Sequence, residues 1–133
     1  LLAQTDGSLC LSTSSASASF GVADMAVYSA TKHAIRGFTE ALAVELNSSG
    51  VRVADVLPGI IDTAMLPDDA SELFPTTGPF RIISPAVVAE TVWDAYHGDS
   101  LHWFVPAELQ SIDVDVRVDP DAARDARLKG PLN

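Results

Sequence analysis

A chain of 133 residues, 47% hydrophobic and 20% charged, carries enough apolar material for one packed domain and is neither disordered nor fibrous in composition. Eight Lys and Arg against eighteen Asp and Glu give a net charge of −10, which argues against surfaces that neutralise phosphates and so against nucleic acid or an anionic membrane as partner. A single cysteine, Cys10, and three scattered histidines offer neither an internal disulfide nor a zinc-type spacing, so a reducing, cytoplasmic setting and no metal are expected.

No apolar run approaches the roughly 18 to 20 residues of a membrane span, and a soluble protein is expected. The chain opens on Leu1-Leu2-Ala3-Gln4, helix-forming residues with no cap before them, and then turns at Thr5-Asp6-Gly7. With no initial methionine, this start is expected to be the interior of a longer protein, of which these residues are the C-terminal portion. Ser8 to Thr13 is a short apolar run bounded by Gly7 and a serine cluster, and predicts a buried strand. The serines at 14, 15, 17 and 19 then suit a polar loop at that strand's C-terminal end.

Asp24 is the expected cap of a helix running to about Asn47, stopped by Ser48-Ser49-Gly50. Ala30, Ala34, Ile35, Phe38, Ala41, Leu42 and Leu46 share one broad apolar arc, with His33, Arg36, Glu40 and Asn47 opposite. Tyr28 and Lys32 lie at the margin of that arc, one turn apart. Val51 to Leu57 predicts a second strand, ended by Pro58-Gly59, and the strand–helix–strand order predicts a parallel βαβ unit. Residues 60–84, punctuated by Pro67, Pro75, Gly78 and Pro79, read as a long functional loop. A helix from Pro85 to about His97 and a strand over Leu101 to Val105 follow. Beyond Pro106 the alternation of Ile112, Val114, Val116 and Val118 predicts a half-buried strand, and Asp119 to Lys129 a frayed helix.

Tyr28-x-x-x-Lys32 alone is a common accident, and its weight comes from company. Ser15 stands thirteen residues before Tyr28, and Pro58-Gly59-Ile60-Ile61-Asp62-Thr63 follows the next strand. Ser12-Thr13-Ser14-Ser15, Tyr28-Ser29-Ala30-Thr31-Lys32 and Pro58-Gly59 with Thr63 together closely resemble the short-chain dehydrogenase/reductase family, from about Ser8 to Leu66 and more loosely to Val105. The resemblance implies an α/β Rossmann-like, doubly wound parallel sheet, here its C-terminal half only (β-α-β-loop-α-β). Residues 1–109 would be that half of an NAD(P)-binding domain, and 110–133 a C-terminal extension.

The chemistry explains why such residues are wanted together. Hydride transfer between a nicotinamide and a carbonyl or alcohol needs a proton moved at the oxygen, and an ordinary phenol is about three pKa units too weak an acid at neutral pH, roughly 4 kcal/mol. An ammonium about 4 Å away, at an effective dielectric near 20, stabilises a phenolate by about that amount. Tyr28 is thus the candidate general acid/base and Lys32 its modifier, which the resemblance also places on the ribose hydroxyls of the cofactor. Ser15 would donate a hydrogen bond to the substrate oxygen. Composition leaves Ser14 and Ser17 as rivals, and the family spacing selects Ser15.

By resemblance, Pro58-Gly59 lets the backbone approach the nicotinamide, Ile61 gives main-chain contacts to its carboxamide and Thr63 a hydroxyl to the cofactor. The implied cofactor is NAD or NADP, the substrate a small carbonyl or alcohol, and the assembly a homodimer or homotetramer. The family's G-x-x-x-G-x-G phosphate loop, its Asn-Ala-Gly segment and its helix asparagine do not occur in these residues. The chain alone is therefore expected to be inactive. The alternative reading is a family-like binding protein without redox chemistry, its long helix serving self-association.

Overall fold

The computed structural model describes residues 1–129, so the last four residues of the 110–133 segment lie outside the described residues. Three parallel strands form the main sheet in the order β1 (Leu9–Thr13), β2 (Arg52–Pro58), β5 (His102–Val105). Helix α1 (Ala26–Leu46) connects β1 to β2, and α3 (Pro85–His97) leads into β5. Between β2 and α3, the expected long loop holds a two-residue parallel pair, β3 (Ile60–Ile61) with β4 (Ile82–Ile83), and one turn of helix, α2 (Ala70–Leu73). The opening residues form a single tight turn, Leu2–Gln4.

The central strand β2 is buried from Val53 to Leu57, as expected of a parallel strand covered on both faces. Val56, Ile83 and Val105 form its core, with Ile61, Val88 and Val92 packed around them. Helix α3 starts as its sequence dictates, with Ser84 accepting from the Ala86 N–H and Pro85 in the first turn. Its C-terminal carbonyls are capped from β2, where the Arg52 guanidinium donates to the carbonyls of Tyr96 and Gly98. The register pairs Thr13 with Val56 and Pro58 with Val105, bringing the C-terminal ends of all three strands to one edge. β1 and β5 are the edge strands of this sheet among the described residues, and a groove lined by Ser12, Thr13, Ala34, Ile35 and Phe38 runs beside β1. No helix among the described residues is long and apolar enough to cross a membrane.

Three expectations are overturned. Helix α1 begins at Ala26 without a side-chain cap, and Asp24 instead adopts a left-handed conformation at φ 60° in the approach to it. The buried stripe of α1 is Ser29, Arg36 and Thr39, while Ala30, Ala34, Phe38 and Ala41 of the expected apolar arc are exposed, Phe38 by 58%. Residues 109–118 form a helix, α4 (Leu109–Val118), and not a strand. The next helix, α5 (Pro120–Leu128), falls where a helix was expected and is capped by Asp119 accepting from the Ala122 N–H.

The inward face of α1 and the helical form of α4 share a cause. Arg36 faces inward because Asp113 of α4 meets it, with Nη1 on Oδ1 at 2.5 Å and Nη2 on Oδ2 at 3.0 Å. Both side chains are buried, and Ser19 also accepts from the Arg36 guanidinium. Arg117 lies 3.2 Å from Asp113, and Glu40 lies 3.4 Å from Arg36 and 3.2 Å from His102. The other nitrogen of His102 sits 2.7 Å from Asp55, a wholly buried residue of β2. The buried face of α1 is therefore polar yet partnered, as a desolvated charge requires.

Burial raises the Asp113 carboxyl, but the hydrogen bonds from Arg36 and Ser19 and the charges of Arg36 and Arg117 outweigh it, holding the group below the usual carboxylate range. A carboxyl depressed on folding stabilises the protein at pH above its unfolded value, and that stability is lost as pH falls through the folded value. Asp113→Asn is expected to cost about 3 kcal/mol at neutral pH by stranding a buried guanidinium. It should also flatten the fall in melting temperature below about pH 4 that the unsubstituted protein shows. Thermal unfolding across pH checks both, and an unchanged acid slope would contradict the assignment.

Gly59 is required for a different reason. A Cβ there would stand 3.1 Å from Leu109 Cδ1 and 3.3 Å from the Val105 carbonyl oxygen, where β2, β5 and α4 converge. Because the oxygen belongs to backbone, Gly59→Ala is expected to lower stability by about 1 to 3 kcal/mol, read as a drop in melting temperature.

Candidate active site

The parallel register delivers the predicted residues to the C-terminal edge of the sheet, where ligands bind in open α/β folds. The chain leaves β1 through Ser14, whose N–H extends the ladder to the Val56 carbonyl at 2.9 Å, and then forms a tight turn over Ala16–Ala18. Ser15 caps that turn, its Oγ accepting from the Ser17 N–H at 3.2 Å, and it remains half-buried. Its two rivals are buried. Ser14 Oγ donates to the Lys32 carbonyl at 3.2 Å, and Ser17 Oγ has no hydrogen-bond partner among the described residues.

Tyr28 and Lys32 occupy successive turns at the start of α1. Tyr28 is 37% exposed, and the Lys32 ammonium lies 5.5 Å from its ring centroid. The same ammonium donates to the Thr13 carbonyl at 3.2 Å, joining helix to strand end. Ser29, buried between them in sequence, accepts from the Val22 N–H at 3.1 Å and so holds the connecting loop against the helix. Arg127 of α5 holds that loop from the other side by donating to the Gly21 carbonyl, with its guanidinium 5.3 Å from the Phe20 ring centroid.

On the neighbouring strand, Pro58 ends β2 and Gly59 donates to the Val105 carbonyl at 2.7 Å. Ile61 follows in β3, paired with Ile83, and Thr63 is exposed, its hydroxyl accepting from the Met65 N–H at 3.4 Å. Pro58 and Ile61 also line an open apolar groove with Pro85, Val88, Ala89 and Val92. Sequence reasoning did not identify the structural parts played by Ser14, Ser29 and the Thr13 carbonyl. A small polar residue beside a motif carries no separate signal, and a carbonyl carries none at all.

This arrangement places a phenol, an ammonium and a half-exposed hydroxyl around one strand end, a set suited to proton transfer at a substrate oxygen. Comparison with known proteins identifies the family. The model of the short chain dehydrogenase family matches residues 1–73. The "Dehydrogenase/reductase SDR family member 6" of Rattus norvegicus is 41% identical over 66 residues, covering 50% of this chain and 27% of that protein. The "15-hydroxyprostaglandin dehydrogenase [NAD(+)]" of Bos taurus is 30% identical over 111 residues, covering 73% of this chain and 42% of that protein. Among solved structures, a short chain dehydrogenase from Burkholderia cenocepacia in complex with NADP superposes with a TM-score of 0.75 at 30% identity, over 98% of this chain and 50% of that one. The chain thus spans half or less of the length of these relatives. With the family match extending over more than half of its residues, the chain belongs to the short-chain dehydrogenase family.

Proposed function

We propose that this chain supplies the acid–base and nicotinamide-side half of an NAD(P)-dependent oxidoreductase site, acting on a small carbonyl or alcohol. The observation that carries the reading is the Lys32 ammonium, held on the Thr13 carbonyl at the end of β1 and over the ring of Tyr28. In the reducing direction, Tyr28 gives its phenolic proton to the substrate oxygen while the Ser15 hydroxyl donates a hydrogen bond to the same oxygen. Lys32 offsets the negative charge left on the phenolate, and the exposure of Tyr28 gives solvent a route to return the proton.

The residues present fit the nicotinamide-ribose end of a dinucleotide. Lys32 and Tyr28 would hold ribose hydroxyls, and Pro58, Gly59, Ile61 and Thr63 would border the ring. A bound nicotinamide supplies or accepts the hydride. The diphosphate has no glycine-rich loop to receive it in these 133 residues. We assign residues 1–109 to this half-domain and 110–133 to a C-terminal extension, of which α4 is clamped to it through Asp113. The exposed apolar side of α1, with Val27 and Phe38, suits pairing with a second copy in a homodimer or homotetramer, and the lone thiol of Cys10 suits a cytoplasmic setting.

Two outcomes test the reading. In the complete gene product, assayed by nicotinamide absorbance with a panel of carbonyls and alcohols, Tyr28→Phe should lower kcat by about a hundredfold or more. Unchanged turnover removes Tyr28 from the mechanism. These 133 residues expressed alone should show no tight binding of NAD(P)H by calorimetry, and submicromolar affinity would contradict the assignment of only half a cofactor site to them.

A further inference from the structure

Of the three serines at the end of β1, Ser14 has the least freedom. It is 3% exposed, its N–H belongs to the sheet and its hydroxyl is committed to the Lys32 carbonyl at 3.2 Å. Lys32 answers from its other end, donating its ammonium to the carbonyl of Thr13, the residue just before Ser14. Two consecutive residues at the end of β1 thus grip both the backbone and the side chain of one helical residue.

The Lys32 carbonyl lies inside α1, where the helical ladder already gives it a donor four residues on. Removing the Ser14 hydroxyl therefore leaves no buried acceptor without a partner. Arg36, one turn further, keeps α1 fastened to α4 through Asp113. The Ser14 bond is thus dispensable to the fold, and what it fixes is position. Ser15 follows Ser14 directly in the chain, and Tyr28 is one turn before Lys32, so this bond is the shortest covalent and hydrogen-bonded path between the two.

We propose that Ser14 is a positioning residue, whose buried hydroxyl on the Lys32 carbonyl sets the Tyr28–Lys32 turn of α1 against Ser15. This rests on the roles assigned above to Tyr28, Lys32 and Ser15. Displacing reacting groups by about an ångström costs up to about a hundredfold in rate. With Arg36 and Ser29 still anchoring the helix on either side, the loss is smaller.

The test uses the complete gene product with Ser14→Ala, and Tyr28→Phe alongside. Ser14→Ala should fold normally and lose about tenfold in kcat, with KM for the nicotinamide cofactor, whose ribose the same turn would hold, rising by less than kcat falls. Amide hydrogen exchange should accelerate over residues 28–36 and stay unchanged over residues 52–58 of β2. Wild-type kcat, unaltered exchange over 28–36, exchange rising equally in both segments, or a chain that fails to fold would each overturn the proposal. Failure of the underlying reading shows separately, as turnover surviving Tyr28→Phe, and the exchange comparison then still decides whether Ser14 holds the turn.

Discussion

The ammonium of Lys32 resting on the Thr13 carbonyl joins the sheet to the helix at the one place where both carry candidate chemistry. Thr13 is the last residue of an edge strand, and its carbonyl is available to a side chain arriving from above. A helix packed across a parallel sheet can slide and rotate on an apolar interface with little directional preference. Here the directional bonds are concentrated in the first turns of α1, from Ser14 and Thr13 to Lys32, and from Ser29 to the loop before the helix. Geometry that an acid–base site needs within fractions of an ångström is thereby set by hydrogen bonds of fixed length.

One turn further along, a different kind of constraint takes over. Arg36, Asp113, Arg117, Glu40, His102 and Asp55 form a continuous charged cluster linking α1, α4, β5 and β2. Replacing such a cluster with apolar side chains often leaves stability no worse, so its value lies in what it forbids. A guanidinium with two fixed carboxylate bonds tolerates one orientation of α4, whereas a leucine would tolerate several. The segment after β5 is placed by charge, and Leu109 at its start comes close to β2 because Gly59 carries no Cβ there.

This is also why the sequence was legible in some places and opaque in others. Strands β1, β2 and β5 and helix α3 follow from apolar runs, turn residues and the Ser84-Pro85 start, all local signals. Helix α4 was misread because Ile112, Val114, Val116 and Val118 alternate as a strand would, while Val114 and Val118 are 51% and 79% exposed. Its inward stripe is Leu109, Ile112, Asp113 and Val116, helical in period but with an acid at its centre. That acid reads as a core position only when Arg36, 77 residues away, is known to be buried too. The same long-range pairing hid the inward face of α1, and the left-handed turn at Asp24 displaced a cap that its residue type made plausible. The candidate site was readable because its residues lie on local spacings, and the residues that hold them in place were not, because their partners are backbone atoms.

The distribution of charge connects these levels. In a chain with eighteen acids and eight Lys and Arg, Arg36, Arg81, Arg117 and Arg124 each face a carboxylate. Lys32 faces a carbonyl and the ring of Tyr28 instead. Dipoles orient an ammonium without cancelling its charge, so the end of β1 keeps a local positive potential on a protein that is negative as a whole. An aspartate in place of the Thr13 carbonyl would hold Lys32 as firmly but neutralise it, so the use of backbone as the anchor is what leaves the ammonium's charge uncancelled.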